Sequence, residues 1–254
     1  TNAARIEKLI EGDPALASKV LSLANSAYYG LPQRVTTISR AVVIMGFQEL
    51  QILAVGAGLA EVFELDRSPA GLDGEALWVH CLSVSWLARE LAAVSGYPLP
   101  AEIMVAGLLH DLGKLVLATH MLDELARLLD LCREGRPYFQ AEEQLGLRHT
   151  IIGFWLARRW GLPGLHEAVI RDHHLPLDTG PYYLATCLVH LADRLVKDLG
   201  FGLVHEARPA DLSPVLRATG LSREQIEAAG RNAEEYIPSV LGAWRAILSR
   251  SSVN

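Results

Sequence analysis

The segment Gly107-Leu-Leu-His110-Asp111-Leu-Gly113-Lys114-Leu-Val-Leu117 sets an imidazole and a carboxylate side by side in an apolar helical pattern. An ionised carboxylate on a buried helix face is unfavourable unless something compensates it, and a bound cation does so, which makes the pair a candidate metal site. Of the nine histidines, His80, His110, His149, His173 and His174 lie inside or at the ends of apolar helical runs, and Asp111 and Asp193 share that setting. Neutral imidazole nitrogen and carboxylate oxygen together suit iron, manganese, zinc and similar divalent ions. The dipeptides His110-Asp111 and His173-His174 fall on separate helices and can supply ligands from different directions. A single histidine on an apolar face is more often a hydrogen-bonded core residue, so the reading rests on the coincidence of all seven. His120, His166, His190 and His205 read as structural or surface residues, His190 standing one helical turn before Asp193. No Cys-rich zinc motif, glycine-rich phosphate loop or Gly-x-Ser-x-Gly nucleophile pattern competes with this set.

The elements that must position these residues read as helices. Asp13-Pro14 offers an N-cap with proline at the first helical position, followed by Leu16, Val20, Leu23 and Ala24 at helical spacing. Asn25-Ser26-Ala27-Tyr28-Tyr29-Gly30 ends that helix, and a second run starts after Thr36-Thr37, meets Gly46 and resumes from Phe47 to Phe63. The breakers between Arg67 and Gly74 mark a lobe boundary. Helical faces return from Glu75, with His80 among core positions, and one helix from Ala101 to about Leu117 is expected to hold the His-Asp pair. Further runs cover Leu122 to Cys132, Phe139 to Leu145, Arg148 to Trp160, Leu165 to His174 and Tyr182 to Leu199. Phe201 to Pro214 reads as a loop, and Ser222-Arg-Glu-Gln225 as a capping box, so two short helices are expected to close the chain. No β-alternation of useful length occurs. The expectation is an all-α, multi-helix bundle, with an N-terminal helical lobe over residues 1–66, a bundle bearing the site over 75–200 and a C-terminal helical tail over 212–254.

Half of the 254 residues are apolar, ample for a core, and 23 Lys+Arg against 29 Asp+Glu leave a formal charge of -6. No basic run interleaves with aromatics, which argues against a nucleic-acid partner. Cys81, Cys132 and Cys187 are isolated, suiting a reducing interior. No signal-peptide pattern opens the sequence, and the most apolar region, Ala41 to Phe63, is interrupted by Gln48, Glu49 and Gln51. The reading is a cytoplasmic chain with no membrane partner.

The ordered set His80, His110-Asp111 with Gly113-Lys114, then Asp193, resembles the H…HD…D pattern of the HD superfamily of metal-dependent phosphohydrolases. Asp13-Pro14-Ala-Leu16, Asn25-Ser26-Ala27-Tyr28-Tyr29-Gly30, Ile38-Ser39-Arg-Ala41 and Met45-Gly46 resemble the N-terminal lobe of the HDOD family, HD-related output domains of bacterial signalling proteins. Gly107-Leu-Leu-His-Asp, His149 with Gly153, Trp160-Gly-Leu-Pro163, His173-His174 and Leu191-Ala-Asp193 resemble its second lobe, so the likeness runs from about Ile6 to Leu199 as one HDOD unit. Many members lack part of the metal set and are described as regulatory; this chain has it all.

Similarity to the related HD-GYP phosphodiesterases implies that His80, His110, Asp111 and Asp193 hold one divalent ion. Asp111 would bridge to a second, held by His149, His173 and His174. Iron or manganese is the first expectation, with zinc, nickel or magnesium as alternatives. Lys114, one turn after His110, would neutralise phosphate charge, giving Lys114 and Asp111 catalytic roles if the centre turns over. After His173-His174 the chain continues Leu175-Pro176-Leu-Asp-Thr-Gly180-Pro181-Tyr182, not the glycine-rich segment ending Gly-Tyr-Pro, so cyclic di-GMP hydrolysis is not implied. The resemblance thus implies a regulatory, output or ligand-sensing module with a signalling partner protein or a fused receiver or effector domain. The alternative is a metal-dependent phosphohydrolase acting on a small phosphorylated or nucleotide ligand.

Overall fold

The computed structural model describes residues 7–8, 10–26, 29–46, 50, 71–178, 180–202 and 211–248. Eleven helices are delimited there, and no strand occurs among the described residues, so the fold is all-α as expected. The chain divides into two compact units, one of residues 1–62 with 234–254 and one of residues 63–233.

In the first unit, α1 (Pro14–Ala24) opens as its sequence demands: the Leu16 N–H donates to Asp13 Oδ1 at 3.1 Å, behind a proline that needs no partner there. Val20, Leu23 and Ala24 are buried. Asn25 ends the helix by using both ends of its amide, donating to Leu21 O and Val35 O and accepting from the Val35 N–H, each at 2.7 Å. Thr37 then accepts from the Arg40 N–H and starts helical residues 38–46, which bury Ile38, Ala41 and Met45. The expected continuation through 47–49 and 51–63, the breakers at 67–70 and the motif residues Ala27 and Tyr28 lie outside the described residues.

In the second unit the central helix is α2 (Gly74–Val94), capped by Asp73, whose Oδ1 accepts the Ala76 N–H at 2.9 Å. Its Leu77, Val84, Leu87 and Leu91 are all within 1% of complete burial, each contributing about 1.5–3 kcal/mol. It packs against α3 (Pro100–Leu109) and α9 (Tyr183–Asp198). Between them in sequence come α4 (Leu112–His120), α5 (Leu122–Arg133), α6 (Tyr138–Leu145), α7 (His149–Arg159) and α8 (Gly164–Asp172). After α9 the chain forms α10 (Ser213–Thr219) and α11 (Arg223–Leu248), while residues 203–210 of the expected loop lie outside the described set.

Two close crossings set the geometry of this unit. A Cβ on Gly107 would stand 2.9 Å from Ser85 Cα, so α2 and α3 meet backbone to backbone, and Ser85 Oγ donates to Met104 O across the contact. That crossing lies five residues after His80 and three before His110. A Cβ on Gly113 would stand 1.8 Å from His149 O, and one on Gly153 2.9 Å from Gly113 N, so α4 and α7 approach this closely only with glycine at both positions.

Two sequence expectations need correction. The helix expected from Ala101 to Leu117 is broken: α3 stops at Leu109 and α4 starts at Leu112, with Asp111 at φ -98°, ψ 19°, outside helical values. An apolar periodicity that runs across the break conceals it. The closing pair is not two short helices, because α11 is 26 residues long. Ala229, Ala233, Ile237 and Leu241 keep a buried position every four residues and carry the helix through Pro238. The capping box at its start forms as expected, with the Gln225 N–H donating to Ser222 Oγ and the Ser222 N–H to Gln225 Oε1.

Candidate metal centre

The second unit brings together all seven ligand candidates and Lys114. His80 comes from α2, His110 and Asp111 from the α3–α4 break, His149 from the first turn of α7, His173 and His174 from the end of α8, and Asp193 from α9. Six are at most 5% exposed, and His174 is partly exposed. They form two groups, His80, His110 and Asp193 in one and Asp111, His149, His173 and His174 in the other. Within each group the nearest ligand atoms lie inside 4.8 Å of one another, which suits a metal ion.

Asp111 faces both groups. Its Oδ2 stands 3.3 Å from His110 Nε2 and 3.6 Å from His80 Nε2, while Oδ1 stands 3.2 Å from His149 Nε2 and 3.6 Å from His173 Nε2. The α3–α4 break explains this, because a continuous helix would have carried Asp111 round the axis away from His110's neighbours.

Hydrogen bonding at the far side of each ring decides what the inward nitrogens can do. His80 Nδ1 donates to Phe201 O at 2.9 Å, His110 Nδ1 to Gly107 O at 2.7 Å and His173 Nδ1 to Ile170 O at 3.1 Å. A carbonyl oxygen only accepts, so each Nδ1 carries a proton, which leaves Nε2 as the nitrogen that turns inward and can ligate. His149 is held likewise, its Nδ1 donating to Glu142 Oε1 at 2.7 Å. The result is ring nitrogen against ring nitrogen and carboxylate oxygen. His80 Nε2 stands 3.3 Å from His110 Nε2 and 3.0 Å from Asp193 Oδ1, and His174 Nε2 stands 3.1 Å from His149 Nε2. Asp111 Oδ1, Asp193 Oδ1 and His173 Nε2 are buried with no hydrogen-bond partner among the described residues. Buried acceptors converging without donors fit a cation.

The local field favours positive charge for the same reason. Burial pulls the His149 pKa down, yet Glu142 and Asp111 together push it up to about 9. Burial raises Asp111, and His110 and Lys114 outweigh it to hold the carboxyl well below its usual range. Burial likewise raises Asp193, and Lys197 and His80 reverse it. Desolvation lowers His173 and His174, keeping both neutral and ligand-ready at pH 7.

Lys114 is 1% exposed and donates to Asp111 Oδ2 at 2.8 Å, with its ammonium 5.0 Å from the Tyr138 ring centre. Its charge is therefore engaged with the shared carboxylate. Of the histidines read as structural or surface, His120 is exposed, His166 is buried and His205 lies outside the described residues. His190 is buried and donates through Nδ1 to His173 O at 2.6 Å, so it braces the turn that carries His173 and His174. Glu142 escaped the sequence reading altogether. In an amphipathic helix beside Glu143 it looks like a solvated acid, and only the fold shows that α6 turns it inward to 4% exposure.

The HDOD domain profile matches residues 1–176, more than half of the chain. This chain belongs to the HDOD domain family. The matched span holds His80, His110, Asp111, His149, His173 and His174, and Asp193 lies beyond it. An uncharacterized protein of Treponema pallidum (strain Nichols) is 30% identical over 216 residues, covering 84% of this chain; the chain spans 41% of that relative's length. Among solved structures, an HDOD domain protein of unknown function from Geobacter sulfurreducens superposes with TM-score 0.81 at 26% identity, covering 96% of this chain and 86% of the other. A candidate signal transduction protein from Marinobacter aquaeolei VT8 superposes with TM-score 0.75, also at 26% identity, covering 96% of this chain and 55% of the other. This HDOD domain carries a buried His/Asp cluster that could hold a metal ion. No helix among its described residues is long and apolar enough to cross a membrane.

Proposed function

We propose that this HDOD domain is a cytoplasmic regulatory or output module, with a centre of two divalent ions that is structural or ligand-sensing. Asp111 carries the reading, because its two oxygens are divided between two groups of inward Nε2 atoms. His80, His110 and Asp193 with one oxygen would hold the first ion; His149, His173 and His174 with the other would hold the second. Mixed imidazole and carboxylate ligands favour iron or manganese, with zinc, nickel or magnesium as alternatives. Its partner is a signalling protein or a fused receiver or effector domain, in keeping with its likeness to the candidate signal transduction protein of Marinobacter aquaeolei VT8. Three free cysteines agree with a reducing compartment. The test is metal analysis of the purified chain. One or two ions per chain that disappear in the double variant His110→Ala, Asp111→Ala support the proposal, and no metal in either protein rejects it.

A second reading makes the same centre a metal-dependent phosphohydrolase for a small phosphorylated or nucleotide substrate. It is favoured by the complete ligand set around a shared carboxylate. A bridged pair of divalent ions supplies a lowered pKa for a shared water and polarisation of a phosphoryl oxygen. The chain's own residues fit this less well, since Lys114 already bonds Asp111 and six of the seven ligands are almost fully buried. Assay of nucleotides, cyclic dinucleotides and an aryl phosphodiester with added manganese or iron separates the two. Turnover lost in Asp111→Asn supports hydrolysis, and silence on every substrate supports the regulatory reading.

A further inference from the structure

Glu142 is the third buried carboxylate near the centre, and it is balanced differently from the other two. Asp111 is paired with Lys114 at 2.8 Å and Asp193 with Lys197 at 2.7 Å. Glu142 has no lysine or arginine partner among the described residues. At 4% exposure it bonds His149 twice through one oxygen, accepting the ring Nδ1–H at 2.7 Å and the backbone N–H at 2.8 Å. The second contact caps the first turn of α7, where Arg148 provides no side-chain cap. The first puts a carboxylate group directly behind the ring whose Nε2 faces Asp111 Oδ1 at 3.2 Å. A buried carboxylate held only by an imidazole and a backbone N–H draws positive charge toward that ring, and a cation on the ring's far side completes the balance.

Resting on the reading of this cluster as a metal centre, we propose that Glu142 is a positioning residue. It makes the His149, His173, His174 position the tighter of the two, the first to fill with a divalent ion. A carboxylate behind a ligating imidazole raises the ligand's basicity and locks its tautomer, whereas the carbonyls behind His80 and His110 lock the tautomer with much less charge. The two positions share residue types and differ in this respect.

Glu142→Gln separates the charge from the cap, because the amide oxygen of glutamine still accepts both hydrogen bonds. In an otherwise intact chain carrying His80→Ala, which leaves the second position alone, zinc affinity is measured by competition with a chromophoric chelator after stripping. The expected result is weakening by about 10- to 100-fold in Glu142→Gln, with the metal-free melting temperature unchanged. A change smaller than tenfold overturns the proposal and leaves Glu142 a helix cap. Should Glu142→Gln fail to fold, stepwise cobalt titration of single variants decides the question. His174→Ala must lose the tighter binding phase and His80→Ala the weaker, and the reverse assignment overturns the proposal. If the unaltered chain binds no zinc or cobalt, the metal-centre reading has failed; if it binds and Glu142→Gln binds as tightly, only this inference has.

Discussion

His80 and His110 hand their Nδ1 protons to the backbone carbonyls of Phe201 and Gly107, whereas His149 hands its own to the carboxylate of Glu142. The first group is thus oriented by the fold alone, on α2 and the end of α3, and its Asp193 is neutralised by Lys197 on the same helix. The second group depends on three elements meeting at one place, the α4–α7 crossing, the end of α8 and α6, and it includes the partly exposed His174. Similar ligands can therefore be fixed either by neutral acceptors that come with any helix or by an added charge that requires a partner. On the proposal above, the second arrangement is the more responsive to what occupies it.

The comparison breaks most completely if the shared ligand is removed. Asp111→Asn keeps the shape, replaces one of the two ligating oxygens by an amide nitrogen and removes the negative charge that both groups share, so metal analysis is expected to fall from two ions per chain to none. Stabilisation by metal goes with it, about 4 kcal/mol per site when free ion exceeds Kd a thousandfold, and the melting temperature no longer responds to a chelator. Retention of one tightly bound ion would show that Asp111 serves a single group.

A smaller effect tests whether the second group depends on the crossing. In Gly113→Ala the new methyl meets His149 O at 1.8 Å, and α7 must move away from α4, carrying His149 from Asp111. Denaturant unfolding is expected to show a loss of about 3 kcal/mol, the upper end for overpacking, with the His80 group still able to bind one ion. An unchanged midpoint would mean that the helices separate at no cost and that the glycine pair is not what sets the site.

Asp193→Asn sharpens the comparison from the other side. It removes a ligand from the first group only, so one ion per chain is expected to remain, bound as tightly as the tighter ion of the unaltered protein. Loss of both ions would mean that the groups are not separable.

What could be read in the sequence follows from how conspicuous each residue is. Histidines and aspartates interrupting apolar helical stripes at positions 80, 110, 111, 149, 173, 174 and 193 stand out because burial penalises them, and the fold brings all seven together. The helical fold was legible for the same reason that the break at His110-Asp111 was not: apolar spacing reports which face is buried and is silent about one residue leaving helical ψ. Lys114 was visible as a residue, but its engagement with Asp111 is a matter of side-chain direction. Glu142 and His190 were hidden because an acid on an amphipathic helix and a lone histidine on an apolar one are ordinary, and only tertiary contact gives them His149 and His173 as partners.

His190 provides the smallest expected effect and the finest test of how the second group is held. It donates to His173 O from α9, so it fixes the carbonyl of the residue whose side chain points into the centre rather than the ring itself. His190→Ala leaves that carbonyl buried without its partner, which costs about 1–3 kcal/mol of stability by denaturant unfolding. Because His173 Nδ1 remains anchored by α8's own carbonyls, the ring keeps its tautomer and direction, and metal affinity is expected to change only a few-fold. A fall as large as that expected for Glu142→Gln would place the control of the second group in the turn after α8 and not in the carboxylate behind His149.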